Sequence, residues 1–323
     1  MSKKRHKLFS EEIMKTLCVI APIHNEEDNI ILFYDRVSLI LESTDLDWKI
    51  LFINDGSSDN SLQILDNLSN DNNRIQLLSF TRNFGKESAL TAGLDYADTD
   101  AVIPIDADLQ DPPELILEMI KYWQQGFDVV YAKRRIRKGE TYLKLLTANL
   151  FYKFINKFSD ITIPSNVGDY RLLSRRVVDD INKMREKNRF MKGIFAWVGY
   201  PSKEILFDRD ERNAGETSFN FLKLFNFAVD GITSFSVTPL RVFFYTGLFI
   251  LLVSFAYAGY IIIRTMVLGV ELPGYASMLV AVLFLGGLNL FAIGFVGEYI
   301  GRIYQEVKDR PIYLIKESSE EVK

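Results

Sequence analysis

Apolar positions follow two patterns along this chain. Up to about residue 235, short runs rich in β-branched and aromatic residues alternate with stretches of helical periodicity. The runs are 17–23 (LCVIAPI), 49–53 (KILFI), 75–80 (IQLLSF), 101–105 (AVIPI) and 127–131 (FDVVY); the helical stretches lie near 26–42, 59–69, 86–97 and 113–124. That rhythm predicts a βαβαβαβ fold, an α/β domain with a mostly parallel sheet covered by helices on both faces. Ligands of such sheets bind beyond the carboxyl ends of the strands. The residues there are unusually polar: His24-Asn25-Glu26-Glu27, Asn54-Asp55-Gly56-Ser57, Arg82-Asn83-Phe84-Gly85 and Asp106-Ala107-Asp108.

Beyond residue 235 the polar positions nearly vanish. Residues 242–263 carry no charge over 22 positions, and a helix of that length spans roughly 33 Å, the depth of a bilayer core. A second uncharged run covers 272–297, with Asn289 its one strongly polar residue. Two buried helices of a soluble domain would show polar positions at helical spacing, so the pattern predicts a two-helix transmembrane hairpin. The N-terminal MSKKRHKLFSEEIMK holds no apolar secretion signal. Arg241 precedes the first span and Arg302, Lys308 and Arg310 follow the second, against Arg264 alone between them. Both termini are therefore expected in the cytoplasm. The predicted organisation is a basic tail (1–15), a cytoplasmic α/β domain (16–216), an interfacial segment (217–240), the hairpin (241–300) and a cytoplasmic tail (301–323). Residues 133–157 hold eight Lys or Arg interleaved with Leu, Phe and Tyr. A membrane-surface helix over about 140–158 is expected there, although a packing or partner-binding helix would look similar.

Composition narrows the chemistry. The 38 Lys and Arg against 42 Asp and Glu leave a formal charge of -4, which disfavours a nucleic-acid partner. One cysteine (Cys18) and two histidines (His6, His24) exclude a disulfide framework and make a His-rich centre improbable, so carboxylates and cations must carry the reaction. Neither GxGxxG nor GxxxxGK[ST] is present, which removes support for a dinucleotide site or a P-loop. Asp106-Ala107-Asp108 offers two hard oxygen ligands at a strand end, suited to Mg²⁺ or Mn²⁺ with substrate phosphates completing the shell. Alone, the same pattern fits an acidic helix cap before Pro112-Pro113. NDGSSD (54–59) alone equally fits a turn and helix cap.

The ordered set VIAPIHNEEDNI (19–30), NDGSSDNS (54–61), TRNFGKESALTAGLDYA (81–97) and DADLQDPPE (106–114) resembles the nucleotide-sugar-dependent glycosyltransferases of the GT-A fold, family 2. With VGDYRLLSRR (167–176), RNAGETSFN (212–220) and the two apolar runs, the chain looks like the polyprenyl-phosphate group. That group contains dolichyl-phosphate mannose synthase and bacterial polyprenyl-phosphate glucosyltransferases. The resemblance implies a GT-A catalytic domain in which Pro22, Asn25, Glu26 and Glu27 line the nucleotide pocket and Asp55 hydrogen-bonds the base. Lys86, and with it Arg82, would steady the nucleotide, although both also read as solvated surface cations. Asp106 and Asp108 would hold the metal, with Gln110 a further ligand, and Asp169 matches the family's catalytic carboxylate. Processive relatives carry Gln-x-x-Arg-Trp; here Glu186-Lys187-Asn188-Arg189-Phe190 departs from it, which favours a single sugar transfer.

The expected reaction is inverting transfer of one hexose, glucose from UDP-glucose, to polyprenyl phosphate at the cytoplasmic face of a bilayer. Arg134, Arg209 and Arg212 are the cations expected to bind the acceptor phosphate, because arginine grips phosphate bidentately. GDP-mannose as donor, a non-catalytic scaffold and a glycan-translocation subunit are the alternatives. Two lone spans fit a homo-oligomer, with a tetramer among the options.

Overall fold

The computed structural model describes residues 14–135, 166–208, 238–268 and 274–319. Strands β1 (Thr16–Ile23), β2 (Asp47–Asn54), β3 (Ile75–Phe80), β4 (Ala101–Pro104), β5 (Val129–Arg134), β6 (Val167–Ser174), β7 (Ser202–Phe207) and β8 (Ile315–Ser318) form one sheet in the order β7-β5-β6-β4-β1-β2-β3-β8. Around it lie α1 (Ile30–Glu42), α2 (Ser61–Asp71), α3 (Lys86–Tyr96), α4 (Leu115–Gln124), α5 (Arg175–Lys183) and α6 (Met191–Trp197). Two long helices, α7 (Thr238–Leu268) and α8 (Tyr275–Val307), lie between β7 and β8 in the chain.

The central strands are apolar throughout because both faces are covered. Leu17, Val19 and Ala21 of β1 pack with Phe33 and Val37 of α1 and Ile116 of α4 on one face. Cys18 and Ile20 pack with Leu90 of α3, Val178 of α5 and Ile194 of α6 on the other. Each fully buried aliphatic side chain contributes about 1.5–3 kcal/mol. Burial pushes the Cys18 thiol up to about 12, so it is inert at neutral pH. Helix α3 approaches β1 closely because Gly93 has no side chain: a Cβ there would lie 2.3 Å from the Ile20 side chain.

The sheet is parallel at its centre and mixed at its flanks, and four of the seven strand pairings among the described residues are parallel, in line with the mostly parallel expectation. β1 pairs in parallel with β2 and β4, and β2 with β3. β6 enters between β4 and β5, antiparallel to both. An antiparallel strand begins where its parallel neighbours end, so the residues that open β6 reach the sheet edge carrying the ends of β4 and β5. Helix α1 starts at Ile30 rather than 26, because Asn25 adopts a left-handed φ of 55° and residues 26–29 form a turn. β5 likewise runs later than expected, over 129–134.

The expected apolar runs 242–263 and 272–297 lie mostly within α7 and α8, although α7 begins at Thr238, inside the segment expected to be interfacial. Phe243 near the start of α7 meets Phe291 and Phe295 of α8 at 5.5 and 5.3 Å, so the two helices pair antiparallel. Among the described residues one stretch, Phe284–Val307, is long and apolar enough to cross a membrane, and Val242–Tyr257 is a shorter apolar one. The amphipathic segment about 140–158, the N-terminal residues 1–13 and most of the juxtamembrane segment lie outside the described residues.

The C-terminal segment is more than a tail. β8 pairs antiparallel with β3, and the Tyr313 ring stacks on Phe80 at 5.2 Å. The Tyr313 hydroxyl donates to Asp95 at 2.8 Å. At the end of α8, Asp309 pairs with Lys187 at 2.7 Å and Glu306 accepts the Lys187 N–H at 2.7 Å. We expect Tyr313→Phe to cost about 1 kcal/mol for one lost hydrogen bond. Tyr313→Ala should cost roughly 3 kcal/mol by also removing the stacked ring. Thermal melts of the detergent-solubilised protein measure both.

Candidate functional site

A cavity of about 310 Å³ opens at the carboxyl edge of the sheet between β1 and β4, where the strand order reverses. Pro22, His24 and Glu26 line it from the end of β1, and Asp55 from the end of β2. Asn83, Gly85 and Lys86 come from the turn into α3, and Asp106 and Asp108 from the end of β4.

Asp55 builds the wall nearest α3. Its carboxylate is buried and accepts the backbone N–H groups of Phe84 at 2.6 Å and Gly85 at 2.9 Å. Burial raises its pKa, while those two amides pull it back. Gly56 follows with φ of +62°, and a Cβ there would lie 2.4 Å from the Arg82 carbonyl carbon. No other residue lets these two loops touch. His24 crosses the same junction, with Nδ1 3.0 Å from the Asp55 carbonyl oxygen and Nε2 3.0 Å from the Asn83 amide nitrogen. A carbonyl can only accept, so the proton sits on Nδ1 and Nε2 accepts from Asn83.

Three carboxylates of the site come from two strands. Lys86 Nζ lies 2.7 Å from Asp106 Oδ1 and 2.8 Å from Asp169 Oδ2, joining the end of β4 to the beginning of β6. Tyr170 is buried beside Asp169, and its hydroxyl donates to the Pro112 carbonyl at 3.1 Å, locking β6 to the turn after Asp108. Within that turn Leu109 holds a left-handed φ of 56°, a strained conformation for a bulky residue. Arg171 braces the other side: its guanidinium donates to the Gly168 carbonyl at 2.6 Å and stacks 3.9 Å over Phe195. Burial is the largest influence on Asp169 and opposes ionisation, yet the charges of Lys86 and Lys192 outweigh it and lower the Asp169 pKa. Asp169 Oδ1 is buried with no hydrogen-bond partner.

The remaining expected site residues sit elsewhere. Asn25 accepts the Ser58 N–H at 2.8 Å, and Glu27 accepts the Asn60 N–H at 2.9 Å, so both clamp the turn before α2. Neither lines the cavity. Gln110 is buried and donates its backbone N–H to Asp108 at 3.1 Å. Arg134 faces Asp111 at 3.6 Å. Arg82 stacks 4.0 Å over Phe84 and bonds the Asn83 carbonyl at 2.8 Å. Arg189 is buried, and its guanidinium bonds the Met184 carbonyl and, at 3.1 Å, Thr91. Arg209 and Arg212 lie outside the described residues.

Sequence reasoning missed Glu87, Lys192, Arg171 and Tyr170. Glu87 accepts the Met191 N–H at 2.8 Å and so ties α6 to α3 beside Asp169. The signal was available for Tyr170 and Arg171, which directly follow Asp169 in VGDYRLLS. Nothing in GKESAL marks Glu87 as buried.

The donor set is suited to a divalent cation. Asp106 and Asp108 are hard oxygen ligands on one cavity wall, and Asp169 joins them through Lys86. Among the described residues no group of three His, Cys, Asp or Glu is set to hold a metal. Any bound ion would thus keep positions open for substrate oxygens.

Residues 18–181 match the model of glycosyl transferase family 2, and residues 238–303 match the GtrB C-terminal hairpin. The chain belongs to glycosyl transferase family 2. It is 51% identical to an uncharacterized glycosyltransferase of Synechocystis sp., over 93% of this chain and 95% of that one. It is also 51% identical to the SfII prophage-derived bactoprenol glucosyl transferase of Shigella flexneri, over 94% and 98%. A prophage bactoprenol glucosyl transferase homolog of Escherichia coli is 49% identical over 93% and 98%. This glycosyltransferase therefore groups with the bacterial polyprenyl-phosphate enzymes, as its motifs implied, and its α/β domain is GT-A-like.

Burial, followed by the charge of Asp169, raises the Glu87 pKa from 4.5 to about 7. The folded state then holds a proton that the unfolded state releases between those values, so stability falls as pH rises across that window and levels off above it. We expect Glu87→Gln, which still accepts the Met191 N–H, to flatten this dependence. It should stabilise the enzyme above the window by on the order of 2 kcal/mol. Thermal melts from about pH 5 to 8 read the difference.

Proposed function

We propose that this glycosyltransferase moves a single glucose from UDP-glucose to the phosphate of a polyprenyl phosphate, with inversion, at the cytoplasmic face of a membrane. The observation that carries this reading is a cavity lined by Asp55, Asp106 and Asp108, with Asp169 joined to Asp106 through Lys86, in a chain that matches the GtrB C-terminal hairpin and is 51% identical to a bactoprenol glucosyl transferase.

Asp55 keeps lone pairs beyond those taken by the Phe84 and Gly85 amides, and these can accept the imide N–H of a pyrimidine. Pro22 and Glu26 shape the same wall. Asp106 and Asp108 would hold Mg²⁺ or Mn²⁺, which when bound withdraws charge from the leaving diphosphate. The acceptor is a phosphate monoester with a second pKa of about 6, already largely dianionic at neutral pH. Its oxygen forms the new bond to the anomeric carbon as the bond to the diphosphate breaks, and the electron pair leaves with UDP. Asp169 has little proton to remove, so it orients the acceptor and balances the cations around it. Arg134, with Arg209 and Arg212, supplies positive charge toward the acceptor phosphate.

Two spans with both termini cytoplasmic complete the reading. β8 belongs to the same sheet as β3, which supports an even number of crossings for the chain between β7 and β8. If α8 spans, α7 is the segment placed to span back. The exposed apolar side chains of both helices, such as Phe244 and Phe291, suit lipid or a second copy, in line with a homo-oligomer.

Purified protein given polyprenyl phosphate and a panel of labelled nucleotide sugars should form a glucosylated lipid from UDP-glucose. Mannose transfer from GDP-mannose in its place would overturn the donor assignment. Asp108→Asn should raise the barrier by about 3 kcal/mol, roughly a hundredfold in kcat. Asp169→Asn should lower kcat while leaving UDP affinity nearly unchanged; undiminished turnover in either variant removes that residue from the reaction.

Topology has its own test. Cys18 is the sole native thiol and is buried, so background labelling is low. A Gly274→Cys variant should react with membrane-impermeant reagent only from the periplasmic or outer side. Labelling confined to the cytoplasmic side would remove the two-span topology.

A further inference from the structure

Three carboxylate oxygens crowd one ammonium at the cavity wall. Lys86 Nζ lies 2.7 Å from Asp106 Oδ1, 2.8 Å from Asp106 Oδ2 and 2.8 Å from Asp169 Oδ2. A lysine ammonium has three donors and no acceptor, so this arrangement matches its full capacity. Both oxygens of Asp106 are in use, and they are the oxygens a cation at Asp106 and Asp108 would need.

The root of this side chain is fixed while its tip is free to move. Lys86 is the first residue of α3, directly after the Phe84 and Gly85 amides that Asp55 holds. Its side chain is nevertheless 42% exposed and lines the cavity. Lysine carries a compact charge on a flexible stem, which allows exchange of partners without moving the backbone. Asp169 is the less accessible anchor, at 12% side-chain exposure against 33% for Asp106.

We propose that Lys86 is an internal counter-ion that competes with a divalent cation for Asp106. In the ligand-free enzyme its ammonium occupies that carboxylate, and it gives the carboxylate up when a nucleoside diphosphate offers it another anionic partner. This rests on the reading that Asp106 and Asp108 hold the metal. It makes metal and nucleotide binding mutually dependent beyond any direct contact between them: the diphosphate draws Lys86 away from Asp106, and a cation on Asp106 leaves Lys86 free for the diphosphate. The coupling is reciprocal by linkage.

The test is a Mn²⁺ titration of the full-length, detergent-solubilised protein without nucleotide, with free Mn²⁺ followed by its EPR signal. Lys86→Met keeps the stem and removes the ammonium, and Lys86→Gln is a polar second variant should the first fail to fold. We expect Mn²⁺ to bind the folded variant about tenfold more tightly than the unaltered protein. UDP should then improve Mn²⁺ binding by a smaller factor in the variant. Unchanged or weaker Mn²⁺ binding in the folded variants overturns the proposal. Asp108→Asn separates the two readings. If it abolishes Mn²⁺ binding while the Lys86 variants change nothing, the metal site stands and the competition falls. If Mn²⁺ binds Asp108→Asn as well as it binds the unaltered protein, both fall.

Discussion

One buried carboxylate sets the phase of the site. Asp55 ends a strand that is apolar on both faces, and it can be buried there because it receives the two backbone amides that lead into α3. Those amides would otherwise be among the unpaired donors of a helix entry. The bond fixes where α3 begins, and hence where Lys86 leaves the backbone. Gly56 and Gly93 make it possible by letting the neighbouring loop and the helix barrel approach strands without a side chain between them. The contacts of Lys86 with Asp106 and Asp169 along the β4–β6 edge follow from that placement.

The antiparallel entry of β6 is the second requirement. Were β6 parallel to β4, Asp169 near its start would lie at the opposite edge of the sheet from Asp106. Reversal brings the first residues of one strand beside the last residues of the other, and Lys86 closes the gap between them. Tyr170 and Arg171 hold that position from both sides, one through the Pro112 carbonyl and one through the Gly168 carbonyl. The electrostatics are therefore built from strand direction first and side-chain choice second.

The parts of this fold that were legible in the sequence are those where burial leaves a continuous apolar trace. β1 to β4 read clearly because helices cover both of their faces. VGDYRLLS did not read as a strand, since Gly168, Asp169 and Arg171 interrupt its apolar pattern for reasons that belong to the site. IKES at β8 carries almost no apolar signal, because in this exposed edge strand only Ile315 packs against the core and the rest is held by backbone pairing. α1 was misplaced at its start because the left-handed Asn25 ends a strand and opens a turn without any break in polarity. At the site, the paired aspartates were legible from spacing. The partner of Asp106 was not, since Lys86 is distant in sequence and its reach depends on Asp55.

The return of the chain to the sheet through β8 has a mechanical consequence. A domain joined to a hairpin by one linker hangs from it like a flag and can swivel. Here the far end of the hairpin is fastened as well, through Asp309 on Lys187 and Tyr313 on Asp95, so the domain is mounted at two points. Force or thermal drift in the helices is delivered to β3, the strand that runs directly into the turn carrying Asn83 and Gly85. Such a mounting limits how far the helices can swivel against the sheet, much as two guy-lines hold a mast where one would leave it to lean.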